Sequence, residues 1–356
     1  MKHRTRAAHG VSVANGDGHV IGVDIGATAV RAAVLSPKNL EGRRAVSAHG
    51  LGSVPLPPGA VVNGLVINGA AVTAALKELW SVNKFNCRKV VLGATSQQVT
   101  VRDFTVPHLP ADQMRKTLPF QAREVIALPI DEAILDFSPL GPPSDTDNTV
   151  TGLLTGIPRD PVLRAVQAVE KAKLRVARVD LAPFGLLRSI GASGPAIEAL
   201  VDIGADLSTI VIHVNGIAKV VRVVQHGGAA WTARIADQAD LSLEDAESTK
   251  RSIGLTGTSL AANLLRESIR PLVNEIRGSI NFFASQQRVT VERVTLTGGS
   301  APLPGLVAHL TEQLGTSTEI AVPVRHITEV SAQAASPAAA GAISAVAVGL
   351  AMGVAA

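Results

Sequence analysis

The stretch Val23-Asp24-Ile25-Gly26-Ala27 recurs, residue for residue, as Val201-Asp202-Ile203-Gly204-Ala205. Each copy sits between apolar runs rich in β-branched residues. Val20-Ile21-Gly22 precedes the first and Ala29-Val30-Arg31-Ala32-Ala33-Val34-Leu35 follows it; Ala199-Leu200 precedes the second and Thr209-Ile210-Val211-Ile212-His213-Val214 follows it. Such runs around a glycine read as β-hairpins. The glycine is expected to take positive φ in the turn and to let a ligand approach backbone N–H groups, while the aspartate can hold a hydrated divalent cation. Each copy is therefore a candidate phosphate clamp. One Asp-x-Gly at the end of a buried strand is an ordinary turn. Two at this separation argue for two related domains facing each other across a cleft, with one loop from each.

Composition agrees with two domains. The chain has 356 residues, beyond the size at which a single core stops growing. Hydrophobic residues make up 46% and aromatics 3%, with no tyrosine, so the core must be built from Val, Leu, Ile and Ala. The net charge of +4 is small for this length and comes partly from Lys2, Arg4 and Arg6, which gives no nucleic-acid footprint. Cys87 is the one cysteine and cannot form an internal disulfide. The first residues lack the apolar core of a signal peptide, and a cytoplasmic protein is expected.

In chain order, residues 1–19 have no hydrophobic period and read as a disordered tail. Residues 20–94 read as a first lobe. Within it Ser36 to Ala60, rich in Gly and Pro, is expected to be mostly loop with at most one short strand; Gly69 to Trp80 is a helix and Lys89 to Ala94 a strand. Residues 95–183 change character and read as an inserted small α/β subdomain. Its elements are a strand at Gln98 to Phe104, a helix at Ala111 to Ile126, strands at Glu132 to Ser138 and Val150 to Ile157, a helix capped by Asp160 before Pro161, and a closing strand at Arg175 to Asp180. Residues 184–335 form a second lobe. There Ala218 to Val224 runs into the turn Gln225-His226-Gly227-Gly228, a capping box at Ser242 and Asp245 opens a helix at Leu243 to Ile253, and Pro271 to Ala284 is a further helix. A strand at Val291 to Leu296 leads into Thr297-Gly298-Gly299-Ser300, a third glycine turn suited to a phosphate or a flat ring. Residues 336–356 are uncharged and long enough to span a membrane, but they are mostly Ala, Gly and Val without basic or aromatic anchors. A helix packed inside the protein is the better reading.

With three glycine turns in place, the chain from about Val20 to Ala356 resembles the actin-like ATPase superfamily and, within it, the PilM family of type IV pilus assembly proteins. Further phrases that carry the resemblance are Arg222-Val223-Val224-Gln225-His226-Gly227-Gly228, Ala246-Glu247-Ser248-Thr249-Lys250 and Asn274-Glu275-Ile276-Arg277-Gly278-Ser279-Ile280-Asn281-Phe282-Phe283. The resemblance implies a two-lobed actin-like ATPase fold with an inserted α/β subdomain of FtsA/PilM type, binding ATP and Mg²⁺. It implies that Asp24 and Asp202 face the metal, and that Gly26, Ala27, Thr28, Gly204 and Ala205 offer backbone donors to phosphate. Gly227, Gly228, Gly298, Gly299 and Ser300 complete the pocket, and Glu247 with Lys250 meets the ribose and base; without the resemblance that pair reads as a solvated surface ion pair. Arg31 stands where the family usually has Lys, and a fork replaces a point charge. The implied partner is the cytoplasmic N-terminal segment of a PilN-like inner-membrane protein, which would recruit this one, with other pilus assembly components, to the inner face of the membrane. Two other readings within the superfamily are a sugar or acetate kinase, for which no sugar-binding cluster is evident, and an FtsA-like filament former, which usually ends in a basic amphipathic helix that is missing here. No residue that would orient a water for ATP hydrolysis is assigned.

Overall fold

The computed structural model describes residues 18–40, 43–190, 196–321, 327–330 and 345–353; the expected tail at 1–17 lies outside them. Strand β1 (Val20–Ile25) pairs antiparallel with β2 (Ala29–Leu40), which places Asp24 opposite Arg31. β2 runs on past the end of β1 and pairs with β3 (Arg43–Pro55) along its length. The loop expected from Ser36 to Ala60 is thus mostly two long strands. Pro37 falls beyond the last β1–β2 pair, Val20 with Leu35, where among the described residues β2 has a neighbour on one side only, a place that tolerates a missing N–H. Gly50 and Gly52 serve packing and not turning: a Cβ on them would stand 2.6 Å from the Phe85 ring and 2.5 Å from the Asn83 amide.

A small hairpin, β4 (Val61–Val62) with β5 (Leu65–Val66), leads to α1 (Gly69–Val82). Asn68 caps α1 by accepting from the Ala71 N–H at 3.0 Å, and Val72, Leu76, Leu79 and Trp80 form its buried face. Strand β6 (Lys89–Ala94) then lies parallel to β1, with Val23 beside Leu92. The chain next leaves the first sheet. Strand β7 (Thr100–Pro107), helix α2 (Ala111–Ala122), and strands β8 (Ala133–Pro139) and β9 (Thr149–Pro158) form a three-stranded antiparallel sheet in the order β7-β9-β8, with a small core of Leu118, Ala122, Ile126 and Leu154.

Two elements expected in that unit belong elsewhere. Helix α3 (Arg159–Lys171) packs on α1, and its Ala168 and Val169 join the core beneath β1 and β2. Strand β10 (Arg175–Leu181) pairs parallel with β6, so it extends the first sheet and does not close the small one. Asp160 is also not a cap: it lies inside the first turn of α3 and pairs with Arg164 at 2.8 Å.

Helix α4 (Ala182–Ile190) leads to the second lobe, whose strands β11 (Ile197–Ile203), β12 (Ser208–Val214) and β13 (Ile217–Val224) repeat the antiparallel hairpin of the first. Helices α5 (Gly228–Ala239) and α6 (Leu243–Ile253) follow; Ser242 accepts from the Asp245 N–H at 3.0 Å, as the sequence suggests. Helix α7 (Leu260–Gln287) begins well before Pro271, capped by Ser259, because Leu264, Leu265, Ile269, Leu272 and Ile276 form one continuous buried face. Burial of that face outweighs the roughly 3 kcal/mol that an interior proline costs. Strand β14 (Arg293–Thr297) pairs parallel with β11, and β15 (Thr318–Ile320), beyond helix α8 (Leu306–Leu314), forms the edge.

The chain then returns to the first lobe through β16 (Ile327–Val330), parallel to β3, and α9 (Ala345–Met352). Residues 345–351 are all buried against β1 and α4. Small residues make that approach possible. A Cβ on Gly349 would overlap Gly185 O and stand 2.5 Å from Gly185 C, and one on Gly22 would stand 2.7 Å from Ala351 N. Among the described residues no helix is long and apolar enough to cross a membrane.

Candidate functional site

The turns after β1 and β11 are built alike: Gly26 N–H donates to Ala29 O, and Gly204 N–H to Leu207 O, each at 3.0 Å. Neither glycine takes positive φ, which corrects the expectation for both. Space is what they supply. A Cβ on Gly204 would lie 2.7 Å from Leu207 O, and one on Gly26 would lie 2.9 Å from Arg31 Nη1.

The second turn is the point where the other glycine loops meet. Gly228 N–H donates to Gly204 O and Ala229 N–H to Ala205 O, both at 2.9 Å, so the start of α5 is tied to the turn. Ser300 N–H donates to Ile203 O at 3.2 Å, which brings the loop after β14 onto the same strand end. Gly298 does need its glycine: its φ is +91°, and a Cβ there would stand 2.8 Å from Asp202 Oδ1. A Cβ on Gly228 would overlap Ser300 Oγ and lie 3.2 Å from Lys250 Nζ. Gly299 faces open space. Thus Asp202, Gly204, Ala205, Gly227, Gly228, Gly298, Gly299, Ser300 and Lys250 gather at the mouth of β11, while Gly26, Ala27, Thr28, Arg31 and Asp24 gather at that of β1. The two mouths are linked by Asn63, at the tip of the β4–β5 hairpin, whose N–H donates to Asp206 Oδ2 at 3.2 Å.

The Asp202 carboxyl feels the charges of both Asp24 and Arg31 across the cleft. Burial, then the negative charge of Asp24, pushes the Asp202 carboxyl up to about 7, with Arg31 acting against both. Burial likewise raises Asp24, opposed by Arg31, whose Nη1 stands 3.6 Å from Asp24 Oδ2. Arg31 is not fully committed to that pair, since its Nε is buried without a hydrogen-bond partner. Two partly desolvated carboxylates offering only oxygen suit a hard divalent cation that completes its shell with phosphate and water. Among the described residues no group of three or more His, Cys, Asp or Glu could hold a metal by itself.

The sequence model of the family Type IV pilus assembly protein PilM matches residues 22–354, nearly the whole chain. The chain belongs to the PilM family. A solved structure of the PilM-PilN type IV pilus biogenesis complex contains a chain 28% identical to it, with a TM-score of 0.81, covering 95% of this chain and 98% of that one. At the level of fold alone, it is similar to ethanolamine utilization protein EutJ from Carboxydothermus hydrogenoformans (15% identity, TM-score 0.54, covering 94% of this chain and 89% of that one). It is also similar to MreB 5 of Spiroplasma citri bound to AMPPNP (13% identity, TM-score 0.51, covering 85% and 91%). The fold is the two-lobed actin-like one.

Against this family's pattern, the pair Glu247 and Lys250 needs a revised description. It is not a solvated surface pair: Lys250 is 4% exposed, and its Nζ donates to Glu247 Oε2 at 2.6 Å, Gly228 O at 2.9 Å and Thr232 Oγ1 at 2.7 Å. Those bonds use all three ammonium hydrogens, so Lys250 braces α6 to the start of α5. Burial pushes the Glu247 carboxyl up, but hydrogen bonds from Lys250, Thr232 and Arg251 outweigh it and hold the group down at about 2. Thr232, unremarked in the sequence, is the hub of this brace; its one legible signal is a place one helical turn beyond Gly228.

Proposed function

We propose that this PilM-family protein is a cytoplasmic ATP-binding scaffold of the type IV pilus machinery, which docks the N-terminal cytoplasmic segment of a PilN-like membrane protein and is held at the membrane through it. The observation that carries the nucleotide half is the pair Asp24 and Asp202, set on two homologous turns and close enough that the charge of Asp24 raises the Asp202 carboxyl. In this reading Asp24 and Asp202 would hold Mg²⁺, which would supply charge neutralisation to the phosphates. The backbone of Gly26 to Thr28 and of Gly204 and Ala205 lines the phosphates, Arg31 turns its uncommitted Nε side toward them, and Gly298 to Ser300 borders the adenosine. Glu247 and Lys250 reach the nucleoside end through the shape they impose on Gly228.

We place the docking surface at the inserted subdomain, drawn here as residues 95–158 because α3 and β10 pack with the first lobe. Lys219 on β13 and Asp103 on β7 meet at 2.9 Å, a half-exposed contact between the second lobe and this subdomain, so a change in the cleft has a route to it. Only a partner with different affinity for two nucleotide states can carry a signal. A fluorescent peptide with the sequence of the PilN-like N-terminus tests this by anisotropy: tighter binding with Mg²⁺ and ATP than without nucleotide supports the scaffold, and no binding in either state removes the docking role.

A further inference from the structure

Thr95 Oγ1 is buried and has no hydrogen-bond partner. Buried hydroxyls are rarely left so, and each one calls for an explanation. Thr95 lines a cavity of about 20 Å³ that also reaches Asp24, Ile25, Gly93 and Val162. That volume admits one water. The cavity lies at the carboxyl ends of β1 and β6, the edge at which ligands of such sheets bind.

The place of Thr95 in the chain adds a second, independent fact. It follows the last residue of β6 and leads into β7, so it is the point at which the first lobe hands over to the inserted sheet. Its carbonyl is packed against the β4–β5 turn, where a Cβ on Gly64 would stand 3.1 Å from Thr95 O. The neighbouring Asn63 is the residue that reaches Asp206 on the second lobe. One residue thus shares a cavity with Asp24 of the first clamp, packs on the hairpin that spans to the second, and begins the segment that leads into the inserted subdomain.

We infer that Thr95 senses the terminal phosphate of a bound nucleoside triphosphate through one water in this cavity, and relays it to the inserted sheet through β7. The inference rests on the nucleotide reading above. A buried water needs two to four polar partners. Thr95 and Asp24 supply two, and an oxygen of the terminal phosphate beside Asp24 supplies a third that a diphosphate lacks. Thr95 is a positioning residue in this account, acting on the phosphate through the water.

The test uses the full chain with Mg²⁺. Thr95→Val keeps the shape and removes the hydroxyl; Thr95→Ser keeps the hydroxyl. Calorimetry should show Thr95→Val weakened for ATP by about tenfold, one hydrogen bond's worth, with ADP affinity unchanged and Thr95→Ser close to the parent. Hydrogen exchange over Thr100–Pro107 should differ between the ATP and ADP complexes of the parent and not of Thr95→Val. Equal loss for ATP and ADP, or an unchanged ratio, overturns the inference while leaving nucleotide binding intact. Identical exchange over β7 in the two complexes of the parent overturns it even if the valine variant fails to fold. A parent that binds neither nucleotide overturns the inference and the nucleotide reading together.

Discussion

Replacing Asp202 with Asn should stabilise the metal-free protein at alkaline pH and weaken its hold on Mg²⁺ with nucleotide. The Asp202 carboxyl is pushed from 3.8 to about 7, first by burial and then by Asp24. Because the folded value lies above the unfolded one, folding takes up a proton between the two. The share of stability this group gives is therefore present at low pH, falls as pH rises from about 4 to 7, and has become a full penalty above that. A rise from 3.8 to about 7, at about 1.36 kcal/mol per pH unit, would amount to roughly 4 kcal/mol for a sealed site. The side chain is only partly buried, and solvent screening lowers this to about 1–2 kcal/mol. Asn keeps the shape and has no charge to desolvate. Urea denaturation in a chelator should give the variant an advantage of about 1–2 kcal/mol near pH 8 that shrinks toward zero near pH 4. Metal and proton compete for the same oxygen, so Mg²⁺-nucleotide affinity of the parent should fall as pH drops below about 7, and the variant should lose that slope along with affinity. An Asn variant less stable than the parent near pH 8, or a gap independent of pH, would refute the reasoning.

Other substitutions probe the packing around the cleft. Gly349→Ala drives a methyl group into Gly185 O at the α4–α9 crossing and should cost about 3 kcal/mol or more in denaturant unfolding, since backbone and not a flexible side chain must move. Lys250→Met leaves Glu247 and Thr232 without their buried cation and should cost about 2–3 kcal/mol, with ATP and ADP affinity reduced alike because the brace is remote from the terminal phosphate. Arg31→Lys should change stability by less than about 1 kcal/mol, since Arg31 holds Asp24 only at 3.6 Å with its Nε unpartnered, whereas Arg31→Ala should lower nucleotide affinity at least about tenfold by removing the cationic fork turned toward the phosphates.

What the sequence discloses here is what local chemistry decides. The Asp-Ile-Gly repeat could be read because a hairpin with a short turn is specified by its own residues, and Ser242 with Asp245 because a cap is built within one helical turn. The φ of Gly26 and Gly204 is not legible for a reason of the same kind: glycine serves both for positive φ and for close approach, and only the neighbours, Arg31 and Leu207 O, tell which. Partners distant in sequence leave no such local mark. Arg175–Leu181 has the pattern of a strand, but nothing in it says that β6 and not β9 lies alongside. Gly50 and Gly52 signal turns until Phe85 and Asn83 fill the space above them. Lys250 is a brace and not a solvated contact because Gly228 O and Thr232 lie against it, and nothing local to Thr95 tells that its hydroxyl is enclosed.

The central claim is that two homologous turns hold one nucleotide through a shared cation. Isothermal titration of ATP into the parent, Asp24→Ala and Asp202→Ala, each with Mg²⁺ and with chelator, measures it most directly. The account predicts one site per chain in the parent, dependent on Mg²⁺, with each single replacement abolishing the metal dependence. Two sites per chain, or Mg²⁺-dependent binding unaltered in both variants, would contradict it.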